Sequence, residues 1–321
     1  MVMQTEGIHH ITAFVKDAQK NVDFYAGVLG LRLVKKTINF DAPEVYHLYF
    51  GNEAGSPGTI ITFFPYEYGR KGQIGGGQVG IITYIVPLGA LDFWKLRLES
   101  FGVPYSLKTR FDENYLTFSD QDGIQLEIVE RKDGELSQWS FGGVSIEKAI
   151  KGFGGAVLYS TAPEKTMDVL EQVLGLQKVE QDEDFVRFKT KGNIGNMIDV
   201  NIAPMEWGIS GAGTVHHIAW RAEDNEDHAS WRAHVEQHGF HPTPIIDRQY
   251  FHAIYFREAG GILFEIATDP PGFAVDEQPD VLGEKLMLPE WFEANRTDIE
   301  KGLKPIQVRF PILPLGSSGD R

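Results

Sequence analysis

The chain has 321 residues, 42% of them hydrophobic, no cysteine and a formal net charge of −15. The lack of cysteine excludes disulfides, thiolate metal ligands and a cysteine nucleophile. So acidic a chain with no basic stripe is not built to grip a phosphate backbone, and no nucleic-acid partner is expected. It has no apolar run of about 18 residues, as a membrane span needs, and its opening MVMQTEGIHHIT is not patterned as a secretion signal. A cytoplasmic location is therefore expected.

In chain order, residues 7–34 begin with a short apolar strand, HHITAFV. An amphipathic helix follows, AQKNVDFYAGVLG, with Val22, Tyr25, Val28 and Leu29 about one face and Gly30 as its C-cap. Strands separated by Gly-, Asp- and Asn-rich turns then run to GTIITFF (58–64). This is a βαβββ unit, spanning about 7–65. A second unit, about 79–130, ends in DGIQLEIVE. The third, about 152–205, repeats the first: Gly7 aligns with Gly152, Val28-Leu29-Gly30-Leu31 with Val173-Leu174-Gly175-Leu176, and Val34 with Val179. The fourth, about 214–268, resembles the second, with Arg110 opposite Arg248, Gly123 opposite Gly261 and Glu127 opposite Glu265. The expected organisation is a two-module domain over 1–145, another over 150–270, and a C-terminal extension over 271–321. The extension is expected to hold a helix around 289–302 and then a Pro-rich stretch. It would cover a sheet or a site mouth, or serve as a packing or homo-oligomer contact.

Two His-His pairs open apolar strands: His9-His10 and His216-His217. In a regular strand, side chains alternate between faces, so His10 and Thr12 share a face and His9 looks away. Glu265 sits among apolar neighbours in GGILFEIAT, where a carboxylate is costly to bury unless paired or metal-bound. An ion pair with Arg248 or Arg257 is the alternative. The repeat defines a first-strand slot (His10, Gly80, Gly155, His217) and a last-strand slot (Thr62, Glu127, Asp199, Glu265). Pairing consecutive modules gives neither site two histidines and a carboxylate. Pairing the first with the fourth gathers His10, His217 and Glu265, with Thr62 in the fourth slot. The second and third then share a site without histidine. The prediction is an α+β fold of four βαβββ modules forming two barrel-like mixed sheets, the first module paired with the fourth and the second with the third. Only one sheet would hold a metal. Two histidines and one carboxylate on one face make the facial triad of non-haem Fe(II) oxygenases, and threonine leaves the fourth slot free.

These stretches resemble the vicinal-oxygen-chelate superfamily, which contains glyoxalases, bleomycin-resistance proteins and extradiol ring-cleaving dioxygenases. Within it, the likeness is to the hydroquinone-type ring-cleaving dioxygenases. It is carried by GIHHITAFVKDAQKNVDFYAGVLGLRLVKKTINFDAPEVYHLYFGNEAGSPGTIITFFP, by VHHIAW and by DRQYFHAIYFREAGGILFEIATDPPGF, and covers most of residues 7–274. The resemblance implies Fe2+, with Mn2+ as the alternative, on His10, His217 and Glu265. It implies an aromatic diol and O2 as substrates, in the breakdown or detoxification of aromatic compounds. It also implies a surrounding shell of His9, Thr12, His216, Arg248, Tyr255 and His252. Arg248 would stabilise an anionic oxygen, Tyr255 would hydrogen-bond substrate, and a histidine such as His216 or Tyr255 would be the acid/base. A structural hydrogen bond is the alternative for Arg248 and Tyr255. Three rivals share the fold: a catechol-type extradiol dioxygenase, a glyoxalase-like lyase or isomerase using Zn or Ni, and a metal-free binding protein. The paired histidines count against the last, and Thr62 against the second.

Overall fold

The computed structural model describes residues 3–310. Each module opens with a strand whose apolar residues alternate inward. The first comprises β1 (Ile8–Val15), α1 (Ala18–Val22), β2 (Arg32–Asn39), β3 (Ala42–Gly51) and β4 (Ile60–Pro65). Asp17 caps α1 by accepting the Lys20 N–H at 2.9 Å, which satisfies one of the helix's free amides. The helix then widens into a π-helical turn over Asp23–Val28, where a regular helix was expected. It stops at Gly30, whose φ of 71° is the left-handed conformation that favours glycine; Gly175 does the same in the third module at 73°.

The second module holds β5 (Gln78–Val86), α2 (Leu91–Ser100), β6 (Tyr105–Arg110), β7 (Glu113–Ser119) and β8 (Gln125–Glu130). The third holds β9 (Gly152–Tyr159), α3 (Pro163–Gln172), β10 (Gln177–Gln181), β11 (Phe185–Lys189) and β12 (Met197–Asn201). The fourth holds β13 (Thr214–Ala222), α4 (Asn225–Gln237), β14 (Ile246–Asp247), β15 (Phe251–Arg257) and β16 (Leu263–Pro271).

The strands form two eight-stranded mixed sheets, ordered β14-β15-β16-β13-β1-β4-β3-β2 and β10-β11-β12-β9-β5-β8-β7-β6. The first module therefore pairs with the fourth, and the second with the third, as the slot argument predicted. Each sheet is joined at its centre by an antiparallel pair of opening strands, β1 with β13 and β5 with β9. One hydrophobic core, including Ile11, Trp94, Leu126, Leu170 and Trp220, joins the helix-covered faces of both sheets.

These central ladders are not regular. Along β1 and β13, Ile8 pairs with Trp220 but His10 with Ala219, and Thr12 pairs with His217 but Ala13 with Val215. His9 and His216 are thus the extra residues of two β-bulges. In the second sheet Gly80 and Gly154 are skipped in the same way. A bulge turns two successive side chains out of strict alternation, so the expectation that His9 faces away from His10 does not hold. The register also corrects one slot. Thr83 pairs with Gly155 as Ala219 pairs with His10, so Ile81, not Gly80, stands where His217 does.

The extension runs along the free edge of β2. Met287 N–H donates to the Lys36 carbonyl at 2.9 Å, next to a bridge between Lys36 and Leu286. This covers an edge that would otherwise present unpaired backbone groups. The fully buried Lys35 ammonium meets Asp276 and Glu277, each at 2.5 Å. Phe273 and Leu282 pack with Tyr49 and Phe251 inside the first sheet. The helix expected over 289–302 is two short ones, α5 (Glu290–Glu293) and α6 (Arg296–Gly302). Residues 311–321, which carry part of the Pro-rich stretch, lie outside the described residues.

Candidate metal centre

His10 comes from β1, His217 from β13 and Glu265 from β16. The β1–β13 ladder brings the two histidines together, and the parallel β13–β16 ladder sets Glu265 beside Ala219. The Nε2 atoms of His10 and His217 lie 3.2 Å apart. Glu265 Oε2 is 3.4 Å from the first and 2.8 Å from the second. All three residues are buried, Glu265 completely. Glu265 makes no hydrogen bond of regular geometry among the described residues, short as the His217 distance is; His10, His217 and Tyr255 are its polar neighbours. The ion-pair alternatives do not form: Arg248 pairs with Asp41 at 3.0 Å, and Arg257 donates to the Gly261 carbonyl.

The neighbouring histidines explain the mismatch. His9 Nδ1 lies 2.9 Å from His10 Nδ1, and His216 Nδ1 lies 2.9 Å from His217 Nδ1. His9 turns its other nitrogen to the Thr268 backbone, so its Nδ1 accepts and His10 Nδ1 donates. His10 Nε2 is then left as a bare lone pair. A His217 that donates through Nδ1 to His216 would likewise turn its Nε2 lone pair inward. Burial holds the imidazoles of His9, His216 and His217 neutral, and brings His216 down to about 3. Burial alone would push the Glu265 carboxyl up, but His10 and His217 outweigh it and hold it well below the usual carboxylate range. Two imidazole nitrogens and one buried carboxylate converge on one point, an arrangement a divalent cation fits. The three donor atoms all lie within 4.8 Å of one another.

A cavity of about 500 Å³ opens on His10 and His217. Its walls include Phe14, Phe64 and Phe251, with His216, Arg248 and Tyr255 among its polar lining. Arg248 Nε donates to the Tyr255 hydroxyl at 3.2 Å. Burial first, then Glu265, push the Tyr255 phenol far above its ordinary value. Burial alone would lower the Arg248 guanidinium, but Tyr255, Asp41 and Glu265 more than offset it. Thr12 hydrogen-bonds Thr62 at 2.8 Å. His252 is not in this group. It does not line the cavity, and it affects His228 of α4 instead.

Two cavity residues escaped the sequence reading, His47 and Tyr49. His47 Nε2 lies 2.8 Å from the Thr62 hydroxyl, and its Nδ1 lies 2.8 Å from the Tyr49 hydroxyl. The signal was present in EVYHLYF, whose period-two spacing puts His47 and Tyr49 on the face that Thr62 shares, since Tyr49 pairs with Thr62.

The corresponding place in the second sheet is filled by arginines. Arg110 meets Asp199 at 2.7 Å and Glu127 at 2.8 Å, and Arg187 meets Asp199 at 2.7 Å and Glu113 at 2.6 Å.

A model of the Glyoxalase/Bleomycin resistance protein/Dioxygenase superfamily matches residues 7–128 and 152–275. The chain belongs to this superfamily. Among superfamily members, it is 59% identical to MhqO of Bacillus subtilis (strain 168), itself only provisionally named a ring-cleaving dioxygenase, over 96% of this chain and 99% of that one. It is 36% identical to the chlorohydroquinone/hydroquinone 1,2-dioxygenase of Sphingobium indicum, over 92% of this chain and 95% of that one. A Bacillus subtilis crystal structure, also provisionally named a dioxygenase, superposes with a TM-score of 0.95 at 59% identity, covering 96% and 99% of the two chains. Glyoxalase I from Zea mays shares the superfamily fold alone, with a TM-score of 0.60 at 12% identity over 82% and 92%. Among the described residues, no helix is long and apolar enough to cross a membrane.

Proposed function

We propose that this chain is an Fe(II)-dependent ring-cleaving dioxygenase that opens hydroquinone-type aromatic diols with O2. The observation that carries the proposal is the buried cluster of His10, His217 and Glu265, whose donor atoms lie within 4.8 Å of one another and whose carboxylate makes no hydrogen bond of regular geometry. Relatives named as ring-cleaving and hydroquinone dioxygenases support the substrate class. Fe(II) bound by this facial triad supplies acidification of a diol hydroxyl and a binding position for O2.

The chain's own residues do the rest. Phe14, Phe64 and Phe251 provide flat apolar walls for an aromatic ring. Arg248 donates to the Tyr255 oxygen, and the Tyr255 hydroxyl lies within hydrogen-bonding reach of Glu265, which holds the phenol beside the triad. The guanidinium beside it favours negative charge there. His216 is neutral, with Nδ1 engaged by His217, and offers the cavity an Nε2–H rather than a charge. Thr62 occupies the slot where a fourth protein ligand would stand in a glyoxalase-like site, and its hydroxyl is already held by Thr12 and His47.

Anaerobically purified protein, loaded in turn with Fe(II), Mn(II), Zn(II) or Ni(II), should be tested in an oxygen electrode against para- and ortho-diols. The expected result is O2 uptake with Fe(II) and para-diols. Glu265→Ala should lose metal and O2 uptake together, and full activity in that variant would sink the assignment.

A further inference from the structure

In the fourth module, Tyr255 pairs across the ladder with Glu265; at the matching place in the third, Arg187 pairs with Asp199. In the first module the pair is Tyr49 and Thr62, with no charge on either side. This quadrant of the site therefore carries only hydroxyls and one imidazole. They form a single chain: Tyr49 Oη to His47 Nδ1 at 2.8 Å, His47 Nε2 to Thr62 Oγ1 at 2.8 Å, and Thr62 Oγ1 to Thr12 Oγ1 at 2.8 Å. The His47 ring is wedged between Tyr49 and Phe64, at centroid distances of 4.0 and 4.3 Å, which hold its plane.

The chain has a direction. The Tyr49 hydroxyl is buried and has His47 Nδ1 as its sole hydrogen-bond partner among the described residues. A buried phenol with one available acceptor donates to it. A neutral imidazole that accepts at Nδ1 carries its proton on Nε2, so His47 donates to Thr62. Thr62, its oxygen now accepting, donates its own hydroxyl hydrogen to the Thr12 oxygen. Every hydrogen points the same way, and the last belongs to Thr12. That residue lies two positions from His10 on the same strand and is the ladder partner of His217.

We propose that Tyr49 and His47 are positioning residues that fix the direction of this chain, making Thr12 an oriented donor to an anionic oxygen beside the triad instead of a spare lone pair. The inference rests on reading the triad as the metal centre. No proton is consumed: the phenol keeps its own, and the chain acts by orientation. Preorganised donors of this kind stabilise developing charge without rearranging during the reaction.

The first test needs no metal. In 15N-histidine-labelled, metal-free protein, the His47 side chain should show the Nε2–H tautomer by long-range 1H–15N correlation, and Tyr49→Phe should shift it toward Nδ1–H. The second test is kinetic. Tyr49→Phe and Thr62→Val in the Fe(II)-loaded protein should each lower kcat on the order of 10- to 100-fold, with Fe content and diol KM changed less than about twofold. The double variant should lose little more than either single one, as members of one chain do. Wild-type His47 in the Nδ1–H form would overturn the inference, as would a Tyr49→Phe variant with unchanged tautomer and kcat. So would losses confined to KM or iron content. If wild-type protein takes up no O2 with any diol, the proposed function fails, while the tautomer measurement still decides this inference.

Discussion

Lys35 is the residue whose replacement should separate the C-terminal extension from the sheet it covers. Its side chain is fully buried, its ammonium bridges Asp276 and Glu277 at 2.5 Å each, and it lies 5.1 Å from the Tyr250 ring. The carboxylates are 15% and 4% exposed, so water only partly replaces the lost cation. Lys35→Met keeps the bulk and leaves two adjacent buried carboxylates. Breaking a buried ion pair from one side costs about 3–5 kcal/mol. At roughly 2–3 °C per kcal/mol for a chain of this size, the melting temperature should fall by roughly 6–15 °C. Limited proteolysis should then cut within residues 272–310 before elsewhere. The triple variant Lys35→Met/Asp276→Asn/Glu277→Gln carries no charge to strand and should recover most of the loss. A single variant melting within about 1 °C of wild type would refute the reasoning, as would a triple variant no better than the single.

Two further outcomes follow from burial and backbone geometry. Burial raises the Asp120 carboxyl to about 6, against contributions from the backbone N–H groups it accepts. A raised acid favours the protonated fold, so its contribution is present below about pH 4 and lost as pH rises toward 6; a shift of about two units is roughly 3 kcal/mol. Asp120→Asn should flatten that part of the stability–pH curve, and urea midpoints at pH 4 and 6 that move in parallel for both proteins would contradict it. Gly155, with φ of 148°, would put a Cβ 1.7 Å from the Met197 carbonyl oxygen. Gly155→His should therefore disrupt folding before it could supply a ligand, seen as loss of soluble protein, and a well-folded variant binding a second metal would contradict this.

Much of this architecture was legible because metal chemistry discriminates between module pairings. His10, His217 and Glu265 come together only if the first module meets the fourth, and that is the pairing found. What escaped was local. Strict alternation assumes an unbroken ladder, and the bulges at His9 and His216 break it, which brings neighbouring histidines into contact and displaces the Gly80 slot to Ile81. His252 was placed near the site by resemblance alone, yet it does not line the cavity and affects His228 of α4 instead. His47 and Tyr49 went unremarked because their partners, Thr62 and Thr12, carry no charge to draw attention to them. The helix expected over 289–302 breaks after Glu293, a boundary that periodicity alone does not fix.

The joining of β1 to β13 has a consequence for how the molecule comes into being. The sheet with the arginines draws on one uninterrupted stretch, β5 to β12, whereas the other must wait for strands from both sides of it. His10 and His217 are 207 residues apart in sequence, a long loop to close and a slow class of contact to form. During synthesis the inner sheet can be complete while β1 to β4 still lack their partners. The triad is assembled only when β16 emerges, so its three donor atoms converge in a nearly finished fold rather than in a growing chain.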